Sequence, residues 1–426
     1  MYKRIISGSP HSEAAFFVMN TDFFIDMLGI DSTSGREREL ADFLAIRMAG
    51  PGRRIEKSEV LSMAADCPEG CDVPVNLMIS WGDPKVVFCT HLDTVPPYIP
   101  PRTEQIPFSV ESTSSPVMPG TSSVMSSEVE TSPDIIFHGR GTCDAKGQIF
   151  AMWEACLELE RRGYSDFALL LLAGEETGSF GAKAFTERAV AASDWVINRA
   201  SSDAIVIVGE PTDNHMTSAS KGTKSFEVTF KGEAFHSGYP QYGCSAVEMF
   251  GDFLNALRSI VFPKDEVLGD TTWNIGKLIS DNPQNILSDR LSCRVYFRTT
   301  FESDEMVCNI MKNMAGPDAR LRFGRKTVQD GSDIVAKEVA PWQKAMSVKA
   351  FGGDSPTRYQ VLDGFPVKPV AFGSDAPQLK CFERKILCGP GSILVAHRDD
   401  EHIRLSDIKT AVANYVKMYE ALRPMK

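Results

Sequence analysis

No stretch of about 18 consecutive apolar residues occurs in these 426 residues, so no membrane-spanning helix is expected. Positive charge is not in excess either. A formal net charge of −11 argues against a general nucleic-acid binder, which needs a basic face, while leaving room for a local basic pocket. A disulfide framework is also missing. The ten cysteines are scattered, and Cys89, Cys156 and Cys388 fall in apolar runs, as reduced core residues of a cytoplasmic protein would. Cys67 and Cys71 have no second Cys/His pair nearby, which favours a surface loop over a zinc site. The N-terminal apolar stretch is too short for a signal-peptide core, and residues 1–18 are expected to form a poorly ordered extension. No internal repeat is visible.

What is present is the composition of a globular protein, with 43% hydrophobic and 24% charged residues. The length exceeds one ordinary core, so two domains are expected. Apolar spacings over 20–50 predict a helix, and Val86–Cys89 predicts a buried strand. Residues 109–134 contain 12 Ser or Thr among 26, with three prolines, which predicts a mobile surface insertion. Strands then alternate with helices: 135–137, helix 145–162, strand 167–173, helix 180–192, strand 204–208. That rhythm predicts an α/β fold, a mostly parallel mixed sheet with helices on both faces.

Near residue 218 the rhythm changes. Ser225–Lys231 alternates, as do segments near 273–279 and 291–299, with helices at 245–260 and 302–314. This predicts an inserted α+β domain with an antiparallel sheet over 215–327, between catalytic segments 19–214 and 328–426. A final amphipathic helix is expected to be capped by Ser406.

Five short segments place acids and histidines at strand ends, where α/β sheets build their sites. In Thr90–Thr94, His91 can bind a metal, with Asp93 supporting its ring. In Gly139–Gly147, Asp144 suits a carboxylate bridging two cations. In Gly174–Gly178, Glu176 suits a ligand and Glu175 a general base. Glu210 in Gly209–Thr212 adds an oxygen ligand, and His397, after Gly389–Ile393, completes the set. The competing structural readings are turn residues, an N-cap Asp and an acidic helix start. Imidazole with carboxylate suits zinc, and also cobalt or manganese.

These five segments, in this order, resemble the co-catalytic zinc hydrolases that include acetylornithine deacetylase, succinyl-diaminopimelate desuccinylase, aminoacylase and carboxypeptidase G. The resemblance spans His91 to Glu401. It implies one zinc on His91, Asp144 and Glu210, a second on Asp144, Glu176 and His397, and Glu175 as general base. It also implies a lid domain that dimerises, with His236 stabilising the oxyanion, often across the dimer, and Asn285 and Arg298 holding the substrate carboxylate. A surface His and a sheet-end Arg remain the plain alternatives. Phe297 stands where an acidic residue is usual, and Gln148 where a second Gly is common. The Gly389–Ile393 turn looks closest to the acetylornithine deacetylase branch. The expected activity is therefore deacylation of an N-acyl amino acid such as N-acetylornithine, with a di- or tripeptidase or carboxypeptidase as alternative. An inactive metal-binding scaffold would be expected to lose one of the six positions.

Overall fold

Apolar runs with nothing polar to expose make strands that must be covered on both faces. The computed structural model describes residues 19–64, 67–106, 134–191, 204–323, 325–326, 333–334 and 338–423. Its main sheet has six strands in the order Arg53–Glu59, Val75–Gly82, Asp166–Leu172, Val86–His91, Ile205–Val208, Arg384–Leu387. The last four run parallel and the first two add an antiparallel edge. Alternate residues serve two cores. Phe88, Leu169, Leu171 and Ile207 pack under helices Lys146–Arg161 and Leu405–Leu422. Val87, Leu170, Leu172 and Val206 pack with Ala182 and Phe185 of helix Phe180–Ala191. The parallel strand ends at His91, Leu172 and Val208 open towards one edge, and the chemistry-bearing turns follow them.

The antiparallel domain is a four-stranded sheet in the order Thr272–Ile279, Arg290–Thr299, Gly222–Lys231, Met346–Gly352. Helices Ala246–Ser259 and Asp304–Met314 share a core with one of its faces, built on Phe230, Phe253, Phe297 and Met311. The Ser245 hydroxyl accepts the Glu248 N–H at the start of the first helix. The two chain crossings into this domain lie side by side: Thr223 donates its N–H to the Asp354 carbonyl at 2.8 Å. Gly353 needs its hydrogen side chain there. Its φ is +131°, and a Cβ would stand 2.0 Å from the Thr223 carbonyl oxygen.

Four expectations change. The helix expected over 20–50 is two helices, Thr21–Leu28 and Glu37–Arg47. Gly29 ends the first, and Gly35, at φ +94°, sits in the turn that Asp31 builds by accepting the Thr33 N–H. Strand Asp134–His138 is not in the main sheet. It pairs with Arg102–Ile106 and His402–Arg404 in a small antiparallel sheet. Ser406 does not cap the last helix, which begins at Leu405. The Asp134 carboxylate takes the Ser406 N–H at 3.1 Å and its hydroxyl at 2.6 Å. The lid sheet also extends past residue 327, because Met346–Gly352 pairs with Gly222–Lys231. The expected extension over 1–18 and nearly all of the 109–134 insertion lie outside the described residues. Among the described residues no helix is long and apolar enough to cross a membrane. Cys89, Cys156 and Cys388 are buried thiols, and Cys67 reaches the Met63 carbonyl at 3.3 Å.

Candidate active site

His91 ends a strand, Glu175, Glu176 and Glu210 follow strand ends within a few residues, and Asp144 and His397 stand on longer turns. His91 ends strand Val86–His91 and is buried. Its Nδ1 lies 2.9 Å from the Asp93 carbonyl oxygen, and its Nε2 lies 3.0 Å from Asp144 Oδ1. The Asp93 carboxylate approaches the ring at 3.3 Å, but its main work is elsewhere. It accepts the N–H groups of Glu175 at 2.9 Å and Glu176 at 3.1 Å, and the Ser34 hydroxyl at 2.8 Å. One buried carboxylate therefore sets both the histidine and the acidic pair.

Asp144 is held from behind. The Glu401 carboxylate accepts the N–H groups of Cys143 at 3.0 Å and Asp144 at 3.1 Å. Its other oxygen pairs with Arg140 at 2.6 Å, and both side chains are buried. Gln148, at the position where glycine is common, donates to the carbonyls of Cys143 and Pro390, tying the Asp144 turn to the Gly389–Ile393 turn. His397 has a positive φ of 64° and points its Nε2 at Glu176 Oε1, 2.9 Å away, and Asp144 Oδ2, 3.2 Å away.

The donor atoms of His91, Asp144 and Glu210 lie within 4.8 Å of one another, as do those of Asp144, Glu176 and His397. Glu175 joins His91 and Glu176 in a third grouping of the same size. Cys67 and Cys71 enter none of these. Without a cation the cluster is electrostatically strained. Burial and the neighbouring Asp144 push the Glu210 carboxyl well above its usual range. Burial, Asp375 and Glu176 do the same to Glu175. Hydrogen bonds that its Nε2 donates to the Asp144 and Glu176 carboxylates raise His397 to about 10. Burial works against His91, but Asp144 and Asp93 outweigh it and raise it too. Burial likewise opposes ionisation of Asp144, yet the two histidines hold it low. Glu210 Oε1 is buried with no hydrogen-bond partner. A buried orphan carboxylate oxygen facing imidazoles and other acids fits a divalent cation.

A cleft of about 640 Å³ opens above the cluster. Asp144, Glu175, Glu176, Glu210 and His397 form one wall, and Thr223, Ser225, Arg294, Tyr296 and Arg298 of the lid sheet form the other. Arg298 is brought to the site. Phe297 is buried in the lid core, so the alternation of the strand turns its neighbour towards the cleft. Arg298 Nη1 also lies near Gly373, where a Cβ would be 3.7 Å away. His236 and Asn285 are not brought to it. They pair with each other's loops, through the His236–Ile286 bridge and a 2.9 Å bond from the Ser237 N–H to the Asn285 carbonyl, at an exposed end of the lid.

Three residues near the site escaped the sequence reading. Arg294 and Tyr296 occupy the half-exposed face of a strand that reads as solvated; the strand periodicity marks them, but not what they face. Asp375 is buried, and burial raises it to about 7 against the lowering effect of His91 and Ser179. It follows Gly373-Ser374, away from any long apolar strand, so no local pattern signals it.

Comparison with known proteins agrees with this architecture. Residues 87–421 match the model of peptidase family M20/M25/M40, and the chain belongs to that family. A probable carboxypeptidase of Aspergillus terreus is 30% identical over 440 residues, covering 98% of this chain and 87% of the relative. The solved aminopeptidase PepT of Bacillus cereus superposes with a TM-score of 0.62 at 18% identity, covering 94% of this chain and 97% of that one. An M20-family metallo-carboxypeptidase of Sulfolobus solfataricus gives 0.59 at 14%, covering 94% and 98%. The chain is thus a hydrolase of amide or peptide bonds.

Proposed function

We propose that this hydrolase is a metal-dependent peptidase that removes the C-terminal residue from short peptides. The carrying observation is that one cleft sets an acidic, cation-fitting wall opposite Arg298. In this reading His91, Asp144 and Glu210 hold one divalent ion and Asp144, Glu176 and His397 the other, with zinc preferred and cobalt able to replace it. Bound there, the ions would supply Lewis-acid polarisation of the scissile carbonyl and would acidify a water.

The chain's own residues do the rest. Glu175 takes a proton from the attacking water and returns it to the leaving amine nitrogen. A carboxylate beside the ions is the group type suited to both transfers. Asp93 holds the Glu175 backbone still. Arg298 grips the terminal carboxylate with a planar fork. His236 and Asn285 reach the reaction from a second copy of the chain, docked through the lid. The exposed Phe235, Tyr239 and Tyr242 beside them support that homodimer. Buried cysteine thiols fit a cytoplasmic setting.

Deacylation of N-acetylornithine or another N-acyl amino acid would use the same groups. The carboxypeptidase name of the Aspergillus relative favours peptides instead. A panel of N-acetylornithine, N-succinyl amino acids, dipeptides and tripeptides, with added zinc or cobalt, tests the choice. Chelator-sensitive release of the C-terminal residue is expected. Turnover of the N-acyl amino acids alone would overturn the peptidase reading.

A further inference from the structure

The lid wall carries more recognition chemistry than one terminal carboxylate requires. Along Arg290–Thr299, Leu291, Cys293, Val295 and Phe297 enter the lid core. The alternate residues Arg294, Tyr296 and Arg298 line the cleft. Four residues of strand separate the two arginines by about 13 Å between Cα atoms. Arg298 lies over the Tyr296 ring at 5.1 Å, and among the described residues it has no carboxylate partner.

Arg294 stacks much more closely, with its guanidinium 3.6 Å from the Phe351 ring centroid. Stacking of that kind fixes the plane and leaves the N–H edge to a ligand. Its polar contacts are long: 3.5 Å to the Ser225 hydroxyl and 3.8 Å to the Glu227 carboxylate, against about 2.7–2.9 Å for a charge-assisted bond. The lining carboxylate of Asp354 is already engaged by Gln378. Arg294 is therefore an under-used cation with an aromatic backing, inside the cleft.

We propose that Arg294 and Phe351 form a second anion subsite that selects substrates with an acidic group remote from the C-terminus. The proposal rests on the peptidase reading above. An extended chain advances about 3.3–3.6 Å per residue, so an anion about 13 Å from the terminal carboxylate lies three to four residues back. The favoured substrate is then a tetra- or pentapeptide with Glu or Asp at its N-terminal end, rather than a dipeptide.

The test compares kcat/KM for Glu-Ala-Ala-Phe and Gln-Ala-Ala-Phe, and for the matching pentapeptides, on the zinc-loaded full chain. Wild type should prefer the acidic peptide of one length by about tenfold or more, through KM, as expected for a charged hydrogen bond. Arg294→Gln and Phe351→Leu should each bring that ratio towards one, while Arg294→Lys keeps part of it. A wild-type ratio near one, or a ratio unchanged in Arg294→Gln, overturns the subsite and leaves the peptidase reading standing. Release of no residue from any peptide by wild type overturns that reading and the subsite with it.

Discussion

The catalytic wall of the cleft hides its charges, whereas the lid wall lays its charges on aromatic rings in the open. On the first wall, His91, Asp144 and Glu210 are buried, Glu401 fixes Asp144 through its backbone N–H, and Asp93 does the same for Glu175 and Glu176. On the second, Arg294 and Arg298 rest on Phe351 and Tyr296. Buried acids held this close are costly unless positive charge balances them, so the first wall fits a metal. Half-exposed arginines cost little to maintain without a ligand, which suits the second wall to the exchanging substrate anion proposed above.

Substitutions should therefore break the two walls in different ways. The largest effect is expected at Asp144, which both donor groups share. Asp144→Asn should lose bound metal and cut turnover by more than about 10⁴-fold, beyond what loss of a general base removes; metal analysis and kinetics on one preparation check this. Next, Glu401→Gln touches no ion yet loosens the Asp144 turn. It should weaken metal binding by about 10–100-fold, read by competition with a chelating dye. On the lid wall, Arg298→Ala should leave metal content intact. It should lower kcat/KM by about 10–100-fold on peptides with a free C-terminus, and hardly at all on their C-terminal amides.

The smallest effect is a pH trend. His397 sits near 10 in the folded, metal-free chain against an ordinary value of 6.5. Its contribution to stability is full below about 6.5 and disappears as pH rises towards 10. The raised carboxyls of Glu175 and Glu210 act in the same sense, since they favour the protonated form. Metal-free protein should thus lose stability as pH rises, and bound metal should offset the loss. The gain in Tm on adding zinc should be larger at pH 8.5 than at pH 6.5.

The same contrast explains what could be read from the chain. The catalytic wall was legible because its residues cluster in short turns directly after buried apolar runs, as at Cys89-Thr90-His91 and Leu172-Ala173-Gly174-Glu175. Their candidacy as ligands came from residue type and position, their division between two ions from the resemblance, and their convergence is geometry. Arg298 was legible only through that resemblance, and Arg294 not at all, because an alternating strand looks alike whether it faces solvent or a cleft. Ser406 failed as a cap because the competing acceptor, Asp134, is remote in sequence. The helix over 20–50 failed because apolar spacing persisted across a turn that Gly29 and Gly35 enforce. His236 and Asn285 lie outside their own chain's cleft, so one chain alone gives no geometric account of them.

The central claim is that Glu175 moves protons while the neighbouring residues hold the ions. The grouping of Glu175 with His91 and Glu176 makes this a real choice, since Glu175 could instead serve as a ligand. Metal content and peptide turnover measured on the same Glu175→Gln protein decide it most directly. The account predicts wild-type metal content, with turnover reduced about 10²–10⁴-fold. Wild-type turnover at full metal content, or loss of bound metal in this variant, would contradict it.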